Sequence, residues 1–113
     1  MIPAILDFEH YKGDTFLEVP FEILIDAVPL DLTGALIKMQ LRKNYEKDVA
    51  LELSIANDKL EFVNASLGTF KIVEQIIDIE AYNYIYDLQI TLSSGEVETY
   101  IKGKFNIVND VTR

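Results

Sequence analysis

A chain of 113 residues with 50% hydrophobic content, five glycines and three prolines carries enough apolar side chain for a folded core and too few breakers for disorder. Its formal net charge of −9 argues against nucleic acid, whose phosphates select basic surfaces, and against anionic membrane surfaces. With no cysteine there is neither a disulfide framework nor thiol chemistry, so the fold is expected to hold by packing alone.

The length suits one domain over residues 1–113, because a β-sandwich takes about 100 residues. No apolar run approaches the ~20 residues of a membrane-spanning helix, so no membrane insertion is expected. The opening MIPAILDFEHYKGD lacks a basic stretch and meets Asp7 and Glu9 too early for a signal peptide. A soluble protein that stays where it is made is the expectation.

Residues 5–11 alternate roughly, and Lys12-Gly13-Asp14 then makes a turn signal. Residues 16–27 follow with Phe21, Ile23 and Ile25 on one face; Pro20 cannot donate to a ladder and belongs at a strand start, a bulge or a sheet edge. Residues 28–34 read as a loop built on Pro29, Asp31 and Gly34. Residues 35–42 form a clean strand, with Ala35, Ile37, Met39 and Leu41 opposite Leu36, Lys38, Gln40 and Arg42. Val49, Leu51, Leu53 and Ile55 mark the next strand, and Asn57-Asp58 a hairpin turn. Short strands over 60–63 and 69–73 flank a turn at 65–68. Residues 74–81 fit a crossing loop or one short helical turn with Ile76, Ile77 and Ile79 underneath, and the helical connection is preferred.

The strongest pattern comes last, in residues 84–108, YIYDLQITLSSGEVETYIKGKFNIV. Tyr84, Tyr86, Leu88, Ile90 and Leu92 share one face of a first strand. Val97, Ile101, Phe105 and Ile107 share one face of a second, and Ser93-Ser94-Gly95 supplies the reversal. Seven to nine strands with turn signals every 8–12 residues predict an all-β, immunoglobulin-like antiparallel β-sandwich or a small barrel.

Catalytic chemistry is hard to find. His10 is the sole histidine, with nothing nearby at triad or ligand spacing, and reads as a partly exposed residue of the first strand. Nineteen carboxylates include the pairs Asp7/Glu9 and Glu96/Glu98, yet no calcium-loop pattern occurs and a solvated acidic face is the plainer reading. No glycine motif for nucleotide binding is present. Of six tyrosines and six phenylalanines, Phe21, Phe62, Phe70, Tyr84, Tyr86 and Phe105 fall on apolar phases, whereas Tyr11, Tyr45, Tyr82 and Tyr100 do not and are candidates for a contact surface. No catalytic residue, cofactor site or metal site is assigned. Leu24, Leu36, Ile85, Tyr100 and Val108 lie on the phase opposite the core of their strands and form a possible interaction surface.

Taken in order, KGDTF at 12–16, PLDLTGALIKMQLRK at 29–43, LGTFKI at 67–72, the hairpin at 84–108 and the closing NDVTR form a further pattern. It resembles the N-terminal domain of upper baseplate proteins of tailed bacteriophages and their short stand-alone phage and prophage relatives. The resemblance spans nearly the whole chain. It implies an immunoglobulin-like sandwich that acts without catalysis as a structural and attachment module. It further implies homo-oligomerisation, docking onto other tail or baseplate proteins, and a life in the bacterial cytoplasm during assembly and then in the virion tail. A carbohydrate- or receptor-binding sandwich is the alternative; it requires Tyr45, Tyr82 and Tyr100 to converge. An acidic hydrolase has no positive support.

Overall fold

The computed structural model describes residues 3–109. Its strands are β1 (Ala4–Ile5), β2 (Phe8–Tyr11), β3 (Thr15–Phe16), β4 (Val19–Glu22), β5 (Leu24–Ile25), β6 (Val28–Pro29), β7 (Leu36–Arg42), β8 (Val49–Ser54), β9 (Leu60–Asn64), β10 (Thr69–Ile72), β11 (Gln75–Ile76), β12 (Tyr82–Thr91) and β13 (Val97–Val108). The count exceeds the seven to nine expected because β1, β3, β5, β6 and β11 are two-residue pairings that alternation alone does not resolve.

The large sheet runs β13-β12-β7-β8, with β1 and β2 both on the outer edge of β13; the small sheet runs β4-β10-β9. These are the G-F-C-C′ and B-E-D orders of an immunoglobulin-like sandwich. The pairing is not purely antiparallel: β1 and β2 run parallel to β13, Ala4 opposite Ile101 and Phe8 opposite Phe105. Alternation explains the layers. Ile37, Met39, Leu41, Tyr84, Tyr86, Leu88 and Ile90 point inward from the large sheet onto Leu60, Phe70 and Ile72 of the small one. Each such burial contributes roughly 1.5–3 kcal/mol of transfer free energy.

Two features stand in for the disulfide that the chain lacks. Tyr84, near the start of β12, donates its hydroxyl to the Glu80 carbonyl at 2.6 Å, the tyrosine corner of such sandwiches. Two residues on, where related domains place a cysteine, Tyr86 packs its ring 5.7 Å from Phe8 and 6.3 Å from Phe105, centroid to centroid. Its hydroxyl donates to the Leu6 carbonyl, which fastens the N-terminal strand. The chain passes so closely there that a Cβ on Gly103 would lie 2.1 Å from the Leu6 oxygen. The Lys104 amide donates to Asp7 Oδ1 at 2.8 Å and completes the clamp.

The exposed sheet edges are managed. Pro20 sits in β4, an edge strand, as a residue without an amide proton must. The free edge of β8 is occupied by one side chain: Asn57 Nδ2 donates to the Glu52 carbonyl at 2.9 Å, and Asn57 Oδ1 accepts the Ser54 amide at 2.9 Å. Those are the backbone groups that an added strand would engage.

Three expectations are corrected. No helical turn forms in 74–81. The segment is extended, β11 pairs with β3, and the Gly13 amide donates to the Ile77 carbonyl at 2.8 Å, so its backbone partners lie across the chain and not within it. Isoleucines at 76, 77 and 79 satisfy helical spacing, but Ile77 and Ile79 also satisfy alternation, which burial selects. Helical structure among the described residues is confined to one 3-10 turn at Ala65–Leu67. The second correction concerns β13, which carries an extra residue: Leu88 pairs with Ile101 but Gln89 with Thr99, leaving Tyr100 unpaired. Phase reverses on the hairpin side of that bulge, so Val97 is exposed. The third is Val49, displaced from the core phase by an extra residue in β8: Leu41 pairs with Leu51 but Arg42 with Val49, leaving Ala50 unpaired.

Tyr86→Ala is expected to cost about 3–5 kcal/mol as a core truncation, and Gln89→Ala less than ~0.5 kcal/mol as a surface one, measured by urea unfolding. Equal losses would mean that the register of β12 is slipped by one residue. Asn57→Ala is expected to cost about 1 kcal/mol and to raise the aggregation rate by uncovering the β8 edge; unchanged aggregation would mean that the edge needs no plug.

Candidate interaction surface

Register fixes what lies on the face of the large sheet that points away from the small one. Leu36, Thr91 and Val97 form one row, and Lys38, Gln89 and Thr99 the next. Then comes Glu52-Gln40-Asp87-Lys102-Ile5, then Arg42, Ile85 and Lys104, then Asn83, Asn106 and Glu9. The central rows are knit by side chains: Gln40 donates to Glu52 at 2.8 Å, and Arg42 donates to Gln40 Oε1 at 3.1 Å and to the Lys47 carbonyl at 2.7 Å. The last bond anchors the connection after β7, whose turn is closed by the Glu46 amide donating to Asn44 Oδ1 at 2.9 Å. Tyr45 is thereby presented at this face, 81% exposed.

Of the five hydrophobes assigned to an interaction surface, three share this outer face without touching. Leu36 is 61% exposed at one end. Ile85 lies six residues along β12, about 20 Å away at strand rise, and Val108 four residues beyond Ile85's partner Lys104, about 13 Å further. Polar rows separate them. Leu24 is exposed on β5, beside a different hollow between the two sheets. Tyr100 is a correction: it is the bulged residue, its side chain turns inward, and only 8% of it is exposed. A strand bulge is invisible to strict alternation, which is why the sequence reading put it outside.

A different group is brought together. Tyr45 and Ile85 line both of two adjoining hollows, one completed by Arg42 and Asp87, the other by Ile5, Asp7, Lys102 and Lys104. Ile5 is 72% exposed. Tyr45 was legible as an off-phase tyrosine; Ile5 was not, because a short parallel strand leaves no pattern of its own. Charges on this face balance: Lys38, Arg42, Lys102 and Lys104 stand with Asp7, Glu9, Glu52 and Asp87.

Four hollows on the described surface, those at Tyr45 and Ile85 among them, hold between about 180 and 280 Å³, below the ~300–1,000 Å³ of sites that enclose a small molecule. Among the described residues no three His, Cys, Asp or Glu side chains cluster as metal ligands. His10, half-buried on β2, donates Nε2 to the Asp14 carbonyl at 2.9 Å and meets the Phe16 ring edge-on. Asp31 is committed locally: the Thr33 hydroxyl and amide both donate to it and hold its carboxyl below the usual range. The three tyrosines of a sugar platform do not converge. Tyr100 is in the core, Tyr82 packs on Tyr84 and under Lys43 on the inward phase, and Tyr45 is on the outer face.

Burial pushes the Tyr86 phenol far up, with the Asp7 carboxylate adding to it, and burial likewise raises Tyr84 and Tyr100. Each folded value lies above the unfolded one of about 10. The stability these groups contribute is therefore whole below about pH 10 and lost as pH rises through the folded values. The melting temperature is expected to fall above pH 10, and the late part of the tyrosinate absorbance at 295 nm to rise with unfolding. A single early step in a still-folded protein would contradict the burial of these rings.

No family model and no curated protein sequence matches the chain. Among solved structures it is similar to Drosophila OTK, extracellular domains 3-5, with 14% sequence identity over 90% of this chain and a TM-score of 0.38. The chain spans 33% of that structure's length, a similarity too slight to bear on detail or role.

Proposed function

We propose that the chain is a non-enzymatic structural and attachment module of a bacteriophage or prophage tail or baseplate, acting through contacts with other tail proteins. The observation that carries the reading is the outer face of the large sheet. It is broad, charge-balanced and shallow, with Tyr45 and Ile5 standing exposed between cations and anions. Such a surface suits a protein partner better than a small molecule, since interfaces are flat and gather aromatic and aliphatic side chains within a polar rim.

The motifs that carry the resemblance occupy building positions. KGDTF forms the turn from β2 into β3, and residues 29–43 run from the end of β6 through β7. LGTFKI leads from the 3-10 turn into β10, and the longest motif is the β12–β13 hairpin. What the resemblance shares is thus a scaffold, and attachment is assigned to the face that the scaffold displays. The carbohydrate-binding alternative gains nothing from the dispersed tyrosines.

Immunogold labelling tests the reading. An antibody against the purified chain is expected to mark the tail or baseplate of particles released by the strain that encodes it. Purified tailed particles that neither bind the antibody nor contain the chain by mass spectrometry would overturn the assignment.

A further inference from the structure

β4 has a strand on one side only. It pairs with β10, and among the described residues no strand takes the place beside it that strand A of such a sandwich occupies next to B. The N-terminal strands β1 and β2 are paired with β13 instead. The Ile23 amide donates to the Gly68 carbonyl and the Leu30 amide to the Ile23 carbonyl, both at 3.0 Å, so both polar groups of Ile23 face those neighbours. Backbone direction alternates along a strand, which turns the amides and carbonyls of Glu22 and Leu24 the other way, with no partner among the described residues. Pro20 is the preceding residue on that outward phase, and its missing amide proton blunts only the start of the edge. Whereas Asn57 covers the β8 edge, no described side chain bonds across this one.

Beside that edge the two sheets leave a hollow of about 230 Å³, lined by Ile23, Leu24 and Ile25 on one side and by Ala4, Tyr100 and Ile101 on the other. It is too small to enclose a small molecule but ample for an aliphatic side chain. Tyr100 is only 8% exposed, yet its hydroxyl has no hydrogen-bond partner among the described residues and is not sealed from solvent. The surroundings are acidic. Glu22 stands at the rim and Asp26 in the turn after β5, and after burial it is the Glu98 and Glu96 carboxylates that raise the Tyr100 phenol. None of these four carboxylates belongs to the three ion pairs among the described residues. We infer that this edge and hollow form a binding site for an extended strand of another polypeptide, apolar on its inward phase and carrying lysine or arginine on its outward phase. Such a strand supplies backbone partners for Glu22 and Leu24, an acceptor for the Tyr100 hydroxyl, an aliphatic side chain for the hollow and a cation for Glu22. The site lies on another surface than the outer face of the large sheet and stands whether or not the chain belongs to a phage tail.

Titration of the whole chain with an acetylated, amidated heptapeptide alternating lysine and valine, followed by solution NMR of the backbone amides, tests this. Thermal melting confirms that each variant is folded. The peptide is expected to bind with a Kd of about 0.1–1 mM, because a free peptide must be ordered as it binds. The largest shifts and the greatest slowing of amide exchange are expected at Glu22 and Leu24. The same peptide N-methylated throughout keeps its charge and side chains but loses its amide donors, and is expected to bind at least about tenfold more weakly. Glu22→Lys is expected to weaken the lysine–valine peptide at least about threefold and to strengthen a glutamate–valine peptide by a similar factor. Tyr100→Phe, which keeps the ring in the core, is expected to weaken binding about threefold. Glu52→Lys, on the outer face of the large sheet, is expected to leave it unchanged. No binding at about 2 mM peptide, equal binding of the N-methylated peptide, shifts centred away from Glu22 and Leu24, full affinity in Tyr100→Phe, or a loss in Glu52→Lys as large as that in Glu22→Lys would each overturn the inference.

Discussion

The extra residue at Tyr100 is the constraint on which the arrangement of this sandwich depends. Within twelve residues, β13 has to place Ile101, Phe105 and Ile107 in the core at one end and keep its partner β12 in register at the other. Strict alternation would send Val97 inward and Tyr100 outward. The bulge reverses the phase between them, so Tyr100 and Ile101 are both buried in succession and Val97 and Thr99 join the outer face. The hydrophobic residue exposed at the hairpin end of that face is therefore a consequence of packing at the strand's centre.

The second dependency is the N-terminal strand. Without cysteines, a sandwich of this size relies on aromatic packing and on a few well-placed hydrogen bonds. Phe8 stacks on Phe105 with ring centroids 5.1 Å apart and reaches Phe16 at 5.9 Å, so β2 is drawn into the core. The Tyr86 hydroxyl, the bare backbone of Gly103 and the Asp7 carboxylate hold the preceding residues against β13. The same clamp brings Ile5 alongside Lys102, at the edge of the outer face. Stability and surface chemistry are thus set by one set of contacts.

These contacts leave an acidic protein with one broad face of no net charge. Its hydrogen bonds run laterally, from Arg42 to Gln40 to Glu52, and hold the long polar side chains flat where they would otherwise project. The three ion pairs among the described residues, Lys12–Asp78, Lys43–Glu80 and Lys71–Glu18, all lie off that face. Exposed pairs of that kind add little to stability, and the fold does not rest on them.

The sequence by itself determined the class of the fold. Alternation in 35–42 and 84–92 and turn residues at 12–14 and 93–95 sufficed for a helix-poor sandwich, because each depends on neighbours in the chain. The inward set of Tyr84, Tyr86, Leu88 and Ile90 and the strand position of His10 were legible for the same reason, and of the places open to Pro20 the structure takes the sheet edge. Tertiary structure alone decided the rest. Whether 74–81 coils or extends depended on backbone partners sixty residues away, near Gly13 and Phe16. Whether Tyr100 faced in or out depended on a bulge that only pairing with β12 reveals. Whether Leu36, Ile85 and Val108 formed one patch depended on strand order, and strand order set them apart while bringing Tyr45 and Ile5 to Ile85. A surface is assembled from strands distant in sequence, whereas alternation reports only what each strand does with its own two faces.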